Sequence, residues 1–404
     1  MSRDDNFIPI TEPWFDEHER QAVLEPIDAG WVLQGPRVAE FEREFSNWVG
    51  AQEAVAVSSG TAALHVALLA LGIGPGDEVI TVSHSFVATA NAIALCGAKP
   101  IFCDIDERTY NLDVEILSKM VTEKTSAIMV VHQLGMPCDL AAVREVAARH
   151  NLPVIEDAAC AIGSEVLIDE RWERIGKPHG VMACFSFHPR KLLTTGDGGM
   201  VTTSDRKLAA RLRLLRNHGM ESVTRDPGSE NERQEIEFRT VAHNYRLTDL
   251  QAALGLAQLR KLPAMVEKRR AQRELYDSLL EQIPGVSLPE EPSWARSNWQ
   301  SYCVLLPERA NPLGVIRQMN ERGVSCRGGI VNAHQTSAYQ DRGWGCSQQE
   351  CPRYGLCPCL RTSERVSARG LMLPMYHAMS EGQQRRVVAE LEAALANPGE
   401  VSHG

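Results

Sequence analysis

The fold is decided by a stretch in the middle of the chain that reads Pro153-Val154-Ile155-Glu156-Asp157-Ala158-Ala159. A short apolar run that follows a helical pattern and ends in small residues is typical of a buried strand. Strands of parallel sheets are apolar on both faces because helices cover them. The acidic pair therefore marks the carboxyl end of a strand, which is where open α/β sheets bind their ligands.

The same alternation of apolar runs and helical patterns extends from about residue 53 to residue 203. It predicts one large parallel sheet with helices on both faces. The predicted strands are residues 54–57, 78–81, 100–103, 127–131, 153–156, 183–186 and 199–202, and the predicted helices are residues 61–71, 87–96, 140–150 and 205–215.

The rest of the chain has a different organisation. Residues 217–243 are polar and predict a loop, whereas residues 248–283 carry apolar residues near helical spacing and predict one long helix with a kink at Pro263. Beyond residue 301 a further strand (302–306) and two helices (312–321 and 381–395) predict a smaller domain. We therefore expect a large domain at residues 1–245, and the linking helix with a smaller C-terminal α+β domain at residues 246–404.

The composition narrows the class of protein. The 404 residues carry a formal net charge of -10, which disfavours binding to nucleic acid or to an anionic membrane. The chain shows no secretory signal and no apolar run of the roughly 18 residues that a membrane helix needs. We expect a cytoplasmic protein, in which the 11 cysteines are thiols rather than disulfides.

Residues suited to one ligand follow successive predicted strands. Gly60, in a turn that opens a helix, favours a phosphate, and Phe86 could stack on a planar ring. Asp157 could pair with a ring nitrogen, Ser186 ends the sixth strand, and Lys191 follows five residues later. Each has an ordinary alternative: a helix cap, a core phenylalanine or a solvated lysine. Together they match pyridoxal 5'-phosphate (PLP), with its phosphate held, its ring nitrogen protonated and its aldehyde tied to Lys191 as an imine.

With these residues the chain resembles the DegT-type (StrS-type) sugar aminotransferases, a family of the fold-type-I, aspartate-aminotransferase-like PLP enzymes. The resemblance covers almost the whole chain. It rests on residues 30–36 (GWVLQGP), 59–61 (SGT), 74–80 (GPGDEVI), 156–159 (EDAA), 186–188 (SFH), 194–199 (TTGDGG) and 243–246 (HNYR).

The resemblance implies a large domain with a seven-stranded, mostly parallel sheet, and it implies roles for single residues. Lys191 is the Schiff-base lysine, Asp157 pairs with the pyridinium and Phe86 stacks on the ring. The phosphate is held by Gly60, Thr61 and Ser186 and by Asn244 of the second subunit of a homodimer, and Gln133 lies near the cofactor. Candidate substrate contacts are Trp31, Cys160, Arg246 and His334.

Three features depart from the family pattern. Cys160 stands where the family carries His or Gln, and a thiol cannot make the same strong hydrogen bond; Asp197 replaces a frequent Glu. The four cysteines Cys346, Cys351, Cys357 and Cys359 are spaced unlike a usual zinc site. We expect free thiols and no metal in the site, with a structural zinc as the alternative.

The implied reaction is transamination. Lys191 would act as general acid and base, L-glutamate would be the amino donor, and a nucleotide-linked keto-sugar would be the acceptor. Alternatives are a keto-cyclitol or other cyclic ketone as acceptor, and a pyridoxamine-phosphate-dependent sugar dehydratase, in which histidine replaces the lysine. A non-catalytic regulator on the same fold would carry a DNA-binding module, which the acidic balance disfavours.

Overall fold

The computed structural model describes residues 6–225, 233–340 and 359–396. Its helices are α1 (Glu17–Asp28), α2 (Pro36–Val49), α3 (Gly60–Ala70), α4 (Ala88–Leu95), α5 (Val114–Met120), α6 (Leu140–Arg149), α7 (Arg206–Leu215), α8 (Asp249–Leu280), α9 (Pro312–Glu321), α10 (Ser337–Gln340), α11 (Arg361–Arg369) and α12 (Glu381–Ala396). No helix within these ranges is long and apolar enough to cross a lipid bilayer.

The strands are β1 (Glu53–Val57), β2 (Glu78–Val82), β3 (Lys99–Cys103), β4 (Thr125–Val131), β5 (Val154–Asp157), β6 (Glu165–Ile168), β7 (Arg171–Arg174), β8 (Met182–Ser186), β9 (Gly199–Thr203), β10 (Met220–Arg225), β11 (Arg233–Phe238), β12 (Ala295–Arg296), β13 (Tyr302–Leu305), β14 (Arg327–Gly328) and β15 (Gly370–Leu373).

Seven of these strands form the central sheet, in the order β1-β9-β8-β5-β4-β2-β3. Strand β9 runs antiparallel to both of its neighbours, and the other neighbouring pairs are parallel. The predicted fold class, an α/β protein with a seven-stranded, mostly parallel sheet, is confirmed. The carboxyl ends of β2, β4, β5 and β8 therefore meet along one edge, as the strand-end reasoning requires.

Apolar side chains cover both faces of this sheet. Along a strand successive side chains alternate, so Val55 and Met129 enter the core cluster on one face while Ala56 and Val130 enter the cluster on the other. Helices α3, α4 and α7 cover the first face, and α2 and α8 contribute to the second. Burial on both faces explains why these strands could be read as continuous apolar runs.

Residues 217–243 were predicted to form a loop, and this was wrong. Strands β10 and β11 pair there as an antiparallel hairpin, with Met220 opposite Phe238. Cross-strand charge pairs stabilise it, with Arg225 bonded to Glu235 at 3.1 Å and Arg239 to Glu221 at 2.9 Å. Because this strand pair holds alternate charges instead of a buried apolar face, hydrophobic periodicity did not reveal it.

Several other elements were missed or misplaced. Helices α1 and α2 precede the sheet, and a small antiparallel sheet, β12-β6-β7, lies outside it. The helix predicted at residues 87–96 is α4, which is one residue shorter at each end, and Phe86 lies two residues before it. The strands of the small sheet have four residues or fewer, which is too short to show a period.

The long helix is confirmed as α8. Thr248 caps it, since its hydroxyl accepts from the Gln251 amide at 3.3 Å, and Pro263 lies inside it. Three polar side chains on one face of α8 donate to main-chain carbonyls of residues 374–379: Arg269 to Met375 at 2.6 Å, Gln272 to Tyr376 at 2.7 Å, and Tyr276 to Pro374 at 2.7 Å.

The segment beyond α8 contains an antiparallel sheet in the order β13-β15-β14. Helices α9 and α12 pack beside it, and one core cluster joins Tyr276 and Leu280 of α8 to Tyr302 of β13 and Leu391 of α12. The domain boundary at residues 245 and 246 stays a prediction.

A buried carboxylate joins the start of α8 to the start of α2. Asp249 accepts from the amides of Gly35 at 2.8 Å, Arg37 at 3.1 Å and Val38 at 3.0 Å. These amides lie in the first turn of α2, where backbone donors have no partner inside the helix. Asp249 thereby fixes the segment that leads from Trp31 into α2.

We predict that Asp249→Ala lowers the free energy of unfolding by about 3 kcal/mol, because three donors lose their acceptor, and Asp249→Asn by about 1 kcal/mol, because an amide oxygen still serves part of them. Chemical denaturation followed by circular dichroism measures both. Asp205→Ala is the control, since it removes an exposed cap of α7 that contributes about 1 kcal/mol. Equal effects of Asp249→Ala and Asp205→Ala would contradict this role.

Candidate active site

Lys191 lies in the loop between β8 and β9, and two sets of contacts hold this loop. Its amide donates to the carbonyl of His188 at 2.8 Å. Gln300 clamps the flanking peptides, because its Nε2 donates to the Arg190 carbonyl at 2.5 Å and its Oε1 accepts from the Leu192 amide at 3.0 Å. Lys191 is thus a half-buried lysine on a fixed turn, unlike a lysine on a solvated face.

The amine of Lys191 points toward the end of β5. Its Nζ lies 3.0 Å from the Sγ of Cys160, and both side chains are half-buried. Cys160 comes three residues after Asp157, so the loops that follow β5 and β8 meet at this contact. The structure therefore brings together Lys191 and Cys160, which the sequence placed 31 residues apart.

Asp157 ends β5 and is buried. Its Oδ2 accepts from the Thr89 hydroxyl at 2.8 Å and its Oδ1 from the Ala159 amide at 3.1 Å, and the Ser85 hydroxyl lies 2.8 Å from that of Thr89. Burial raises the pKa of Asp157, although these hydrogen bonds and the charge of Lys191 act in the opposite direction. A buried carboxylate with a raised pKa is stabilised by a cation placed against it.

Gly60 and Ser186 meet where β1 and β8 end. A Cβ at Gly60 would lie 2.6 Å from the Cβ of Ser186, so any other residue would collide there. Gly60 begins α3, and the Ser59 hydroxyl accepts from the Ala62 amide at 3.1 Å. The amides of Gly60 and Thr61 lie in the first turn of α3 beside the Ser186 hydroxyl, which is an arrangement suited to a phosphate.

Phe86 is 73% exposed, which rules out the core-phenylalanine alternative. It lies between β2 and α4, and its carbonyl accepts from the Thr89 amide at 3.1 Å. The same short segment thus carries Phe86 and the hydroxyl that binds Asp157. An exposed aromatic ring on the segment that binds a buried carboxylate suits a planar, cationic ligand.

Gln133 is buried in a short helical turn after β4. Its amide donates to Asn111 Oδ1 at 2.9 Å, and its side chain donates to the carbonyl of His84. These bonds tie the end of β4 to the end of β2. Gln133 therefore lies at the edge where the carboxyl ends of the strands meet, and its bonds to Asn111 and His84 hold it there.

Glu156, beside Asp157, anchors the opposite face of β5. Its Oε1 accepts from the amides of His179 and Gly180 at 2.9 and 2.8 Å, and its Oε2 accepts from Nε2 of His132 at 3.1 Å. Burial raises the pKa of Glu156, but the bonds from His132 and Gly180 outweigh it and the pKa lies below its ordinary value. Cys138 donates its amide to Nδ1 of His132 at 3.0 Å, so the ring proton lies on Nε2.

Asn244 and Arg246 flank Tyr245, whose carbonyl accepts from the Ser58 amide at 2.9 Å. Asn244 is exposed and its backbone forms an isolated bridge with Asn217. Arg246 donates to the Asn217 side-chain oxygen at 2.7 Å, so its partner in the chain is an amide and not a carboxylate. The structure thus presents Asn244 at the surface.

His334 is buried and bonded at both ring nitrogens. Its Nδ1 lies 2.6 Å from the Ser83 hydroxyl and its Nε2 lies 3.0 Å from Glu364. The residue therefore links the end of β2 to α11. Trp31 is 55% exposed and lies against Gly35, where a Cβ would approach its indole Nε1 to 2.0 Å.

Sequence reasoning missed Gln300, Thr89 and the anchoring role of Glu156. Gln300 comes from the segment before β13, and no motif marks it. Cys346, Cys351 and Cys357 lie outside the described residues, so the zinc alternative for the four cysteines stays open. Cys359, within the described residues, is half-buried.

Comparison with known proteins gives a consistent result. The model of the DegT/DnrJ/EryC1/StrS aminotransferase family matches residues 13–392. The chain is 37% identical to the GDP-perosamine synthase of Caulobacter vibrioides over 96% of this chain and 98% of that protein. It is 36% identical to the spore coat polysaccharide biosynthesis protein SpsC of Bacillus subtilis, over 94% and 95%. The solved aminotransferase TlmJ from Streptoalloteichus hindustanus matches with a TM-score of 0.84 at 33% identity, over 96% and 99%.

The Glu156 network predicts that an amide cannot replace this carboxylate. The glutamine side chain has one oxygen acceptor in place of two. In one orientation of the amide its NH2 group faces His132 Nε2, and in the other it faces the amides of His179 and Gly180, so a donor meets a donor in both. We expect Glu156→Gln to lower the free energy of unfolding by about 1–3 kcal/mol. Denaturant titration measures it, with the exposed Glu145→Gln as control. A Glu156→Gln variant as stable as that control would disprove the network's role.

Proposed function

Because the chain belongs to the DegT/DnrJ/EryC1/StrS aminotransferase family, we propose that it binds PLP and transfers the amino group of L-glutamate to a keto group of a nucleotide-linked keto-sugar. One observation carries the cofactor assignment: the Nζ of the half-buried Lys191 lies 3.0 Å from Cys160, three residues beyond the buried Asp157 at the neighbouring strand end. An amine and an acid so placed can hold opposite sides of a pyridine ring.

The residues at the sheet edge fit PLP. The close approach of Gly60 to Ser186 leaves a phosphate-sized cradle at the start of α3, with Thr61 in the same turn. Asp157 would bind the protonated ring nitrogen, whose positive charge offsets the burial that raises the pKa of this carboxyl, and Phe86 would cover the ring. When bound, PLP takes up the donor's amino group and withdraws electrons from the donor's α-carbon.

Lys191 would have two roles. Its Nζ would attach to the cofactor aldehyde and, once displaced by the donor, would carry the proton between the donor α-carbon and the cofactor. Gln300 holds this turn, so that Nζ stays near the end of β5, where Asp157 lies. Cys160, 3.0 Å from Nζ, would be the neighbour of this amine on the substrate side.

The proposed acceptor follows the relatives. The Caulobacter relative is named a GDP-perosamine synthase and the Bacillus relative a spore coat polysaccharide biosynthesis protein. The first name is that of a nucleotide-sugar enzyme and the second refers to polysaccharide biosynthesis, which supports a keto-sugar nucleotide over a keto-cyclitol. Lys191 is retained, which disfavours the dehydratase, since that enzyme has histidine at this position.

We also propose that the site is completed by a second copy of the chain. The β10-β11 hairpin carries its ion pairs on one face and leaves Ile236 and Phe238 exposed on the other, 64% and 67%. Asn244 follows shortly after and is exposed as well. An apolar face beside an exposed candidate phosphate ligand supports a homodimer in which Asn244 reaches the cofactor of the other subunit.

The function predicts a colour change. The purified protein with PLP should show a borohydride-reducible absorption, and L-glutamate should convert the bound cofactor to pyridoxamine phosphate while one equivalent of 2-oxoglutarate is released. Lys191→Ala should lack the reducible absorption, because no other amine takes its place. Absorption spectroscopy and assay of the released keto acid measure both.

The exposed Lys207→Ala is the matched control and should behave as the wild type. A reducible absorption in Lys191→Ala would refute the assignment of Lys191. If no amino acid converts the cofactor bound to the wild-type protein, the aminotransferase proposal is refuted.

The dimer predicts a mass of two chains in light scattering. The double variant Ile236→Lys, Phe238→Lys should shift the measured mass toward that of one chain, because two charges would be buried in the contact. Val223→Lys, on the ion-paired face of the hairpin, is the control and should remain dimeric. A wild type that stays monomeric at all concentrations would contradict the proposal.

A further inference from the structure

The ring of His334 connects segments that are 251 positions apart in the chain. Its Nε2 lies 3.0 Å from a carboxylate oxygen of Glu364, which is an acceptor when ionised, so the hydrogen of the neutral ring is on Nε2. Nδ1 is then the acceptor, and the Ser83 hydroxyl, 2.6 Å away, donates to it. The Ser83 oxygen in turn accepts from the His334 amide at 3.0 Å, which fixes the orientation of the serine side chain.

A serine, a histidine and a carboxylate bonded in this order also form the arrangement of a nucleophilic serine. Here all three side chains are buried, since Ser83 is 0%, His334 9% and Glu364 4% exposed. A nucleophile must meet its substrate, and Ser83 has no surface that could do so. The arrangement therefore holds parts of the molecule together and does not attack a substrate.

The same C-terminal segment holds the end of β2 at two further points. The Ala333 amide donates to the Ser83 carbonyl at 2.9 Å, and Asn332 Oδ1 lies 3.0 Å from Nδ1 of His84. Asn332 also donates to the carbonyl of Ser363 at 3.1 Å, so this segment is fixed to α11 as well. The end of β2 is thus bonded to the C-terminal part of the chain by side chains and backbone together.

The residues that follow the end of β2 face the cofactor site. The Ser85 hydroxyl lies 2.8 Å from the Thr89 hydroxyl, which donates to Asp157 at 2.8 Å. Phe86 lies between these two hydroxyl residues and is exposed. Because Ser83 is only three residues before Phe86, a shift at Ser83 moves the aromatic ring and the donor of Asp157 together.

Packing connects the same two parts of the chain a second time. Ala333 belongs to a small core cluster with Ala90 of α4. Tyr339 belongs to that cluster too, and its hydroxyl donates to Asn91 Oδ1 at 2.7 Å. The turn that carries Phe86 is therefore held by the C-terminal segment on its strand side and on its helix side.

We propose that His334 is a positioning residue for the cofactor. Through Ser83 it sets the turn that presents Phe86 to the ring and the Thr89 hydroxyl to Asp157. This inference rests on the proposed function, because PLP is the ring that this site would bind. Asp157 has two donors, and one of them, Thr89, depends on this turn. In this role His334 touches neither the ring nor the substrate.

The test compares His334→Leu with the wild type after loading with PLP, since leucine fills similar space and removes both ring nitrogens. The dissociation constant of PLP, measured by absorption titration, should rise about 10-fold, the effect of weakening one hydrogen bond to a charged group. The rate of cofactor conversion at saturating L-glutamate should fall by a similar factor. The half-saturating glutamate concentration should stay within about twofold of the wild type, because the donor's own contacts are unchanged.

Two further variants separate positioning from a general loss of stability. His334→Gln keeps an acceptor and a donor at the end of its side chain and should recover part of both losses. Tyr276→Phe removes a buried hydrogen bond between α8 and the Pro374 carbonyl, so it should lower the denaturation midpoint but keep the wild-type PLP and glutamate values. Equal cofactor losses in Tyr276→Phe and His334→Leu would overturn the proposal.

Ser83→Ala tests the connection through the serine. Because His334 acts through Ser83, the double variant Ser83→Ala, His334→Leu should lose no more PLP affinity than His334→Leu alone. Losses that add would overturn the proposal, and so would a His334→Leu protein whose PLP affinity and conversion rate stay within about twofold of the wild type.

A wild type that binds no PLP would refute the proposed function instead. Hydrogen exchange of residues 83–91, followed by mass spectrometry in the protein without cofactor, would then still decide the role of His334. Exchange in this segment should be faster in His334→Leu than in Tyr276→Phe, because only the first variant releases the end of β2. Equal exchange in the two variants would contradict the positioning role.

Discussion

The structure depends on burying two neighbouring carboxylates at the end of β5. Alternation along the strand sends Glu156 to one face and Asp157 to the other, so each acid must find its own donors. Glu156 is fully supplied by two backbone amides and His132, and those bonds fix the ends of β4 and β8 against β5. Asp157 accepts hydrogen bonds from one hydroxyl, of Thr89, and one amide, of Ala159. Glu156 is therefore structural, whereas Asp157 can still bind a cation. Because of this difference, the edge of the sheet at the end of β5 can bind a ligand.

The cofactor side of the site could be predicted from sequence because its residues lie directly after strands that are apolar on both faces. Gly60, Phe86, Asp157, Ser186 and Lys191 all belong to such positions, and their roles remain predictions that the geometry suits. The central sheet itself was predicted nearly strand for strand for the same reason. Local patterning was sufficient where a strand and its ligand-facing residue are adjacent in the chain.

The remaining parts depend on contacts between distant segments, which local patterns do not encode. Gln300 holds the Lys191 turn from more than 100 residues away. The β10-β11 hairpin was missed because charge pairs stabilise it in place of an apolar face. His334 resembled a substrate contact in sequence, but both of its ring nitrogens are bonded within the chain.

The contacts of α8 with residues 374–379 have an evolutionary consequence. Arg269, Gln272 and Tyr276 all donate to main-chain carbonyls, which every amino acid possesses. As far as these bonds are concerned, the segment that precedes α12 is free to drift in sequence, while the three positions on α8 are not. Substitutions within residues 374–379 that keep the buried apolar side chains therefore leave the coupling to the helix that begins at Asp249 intact.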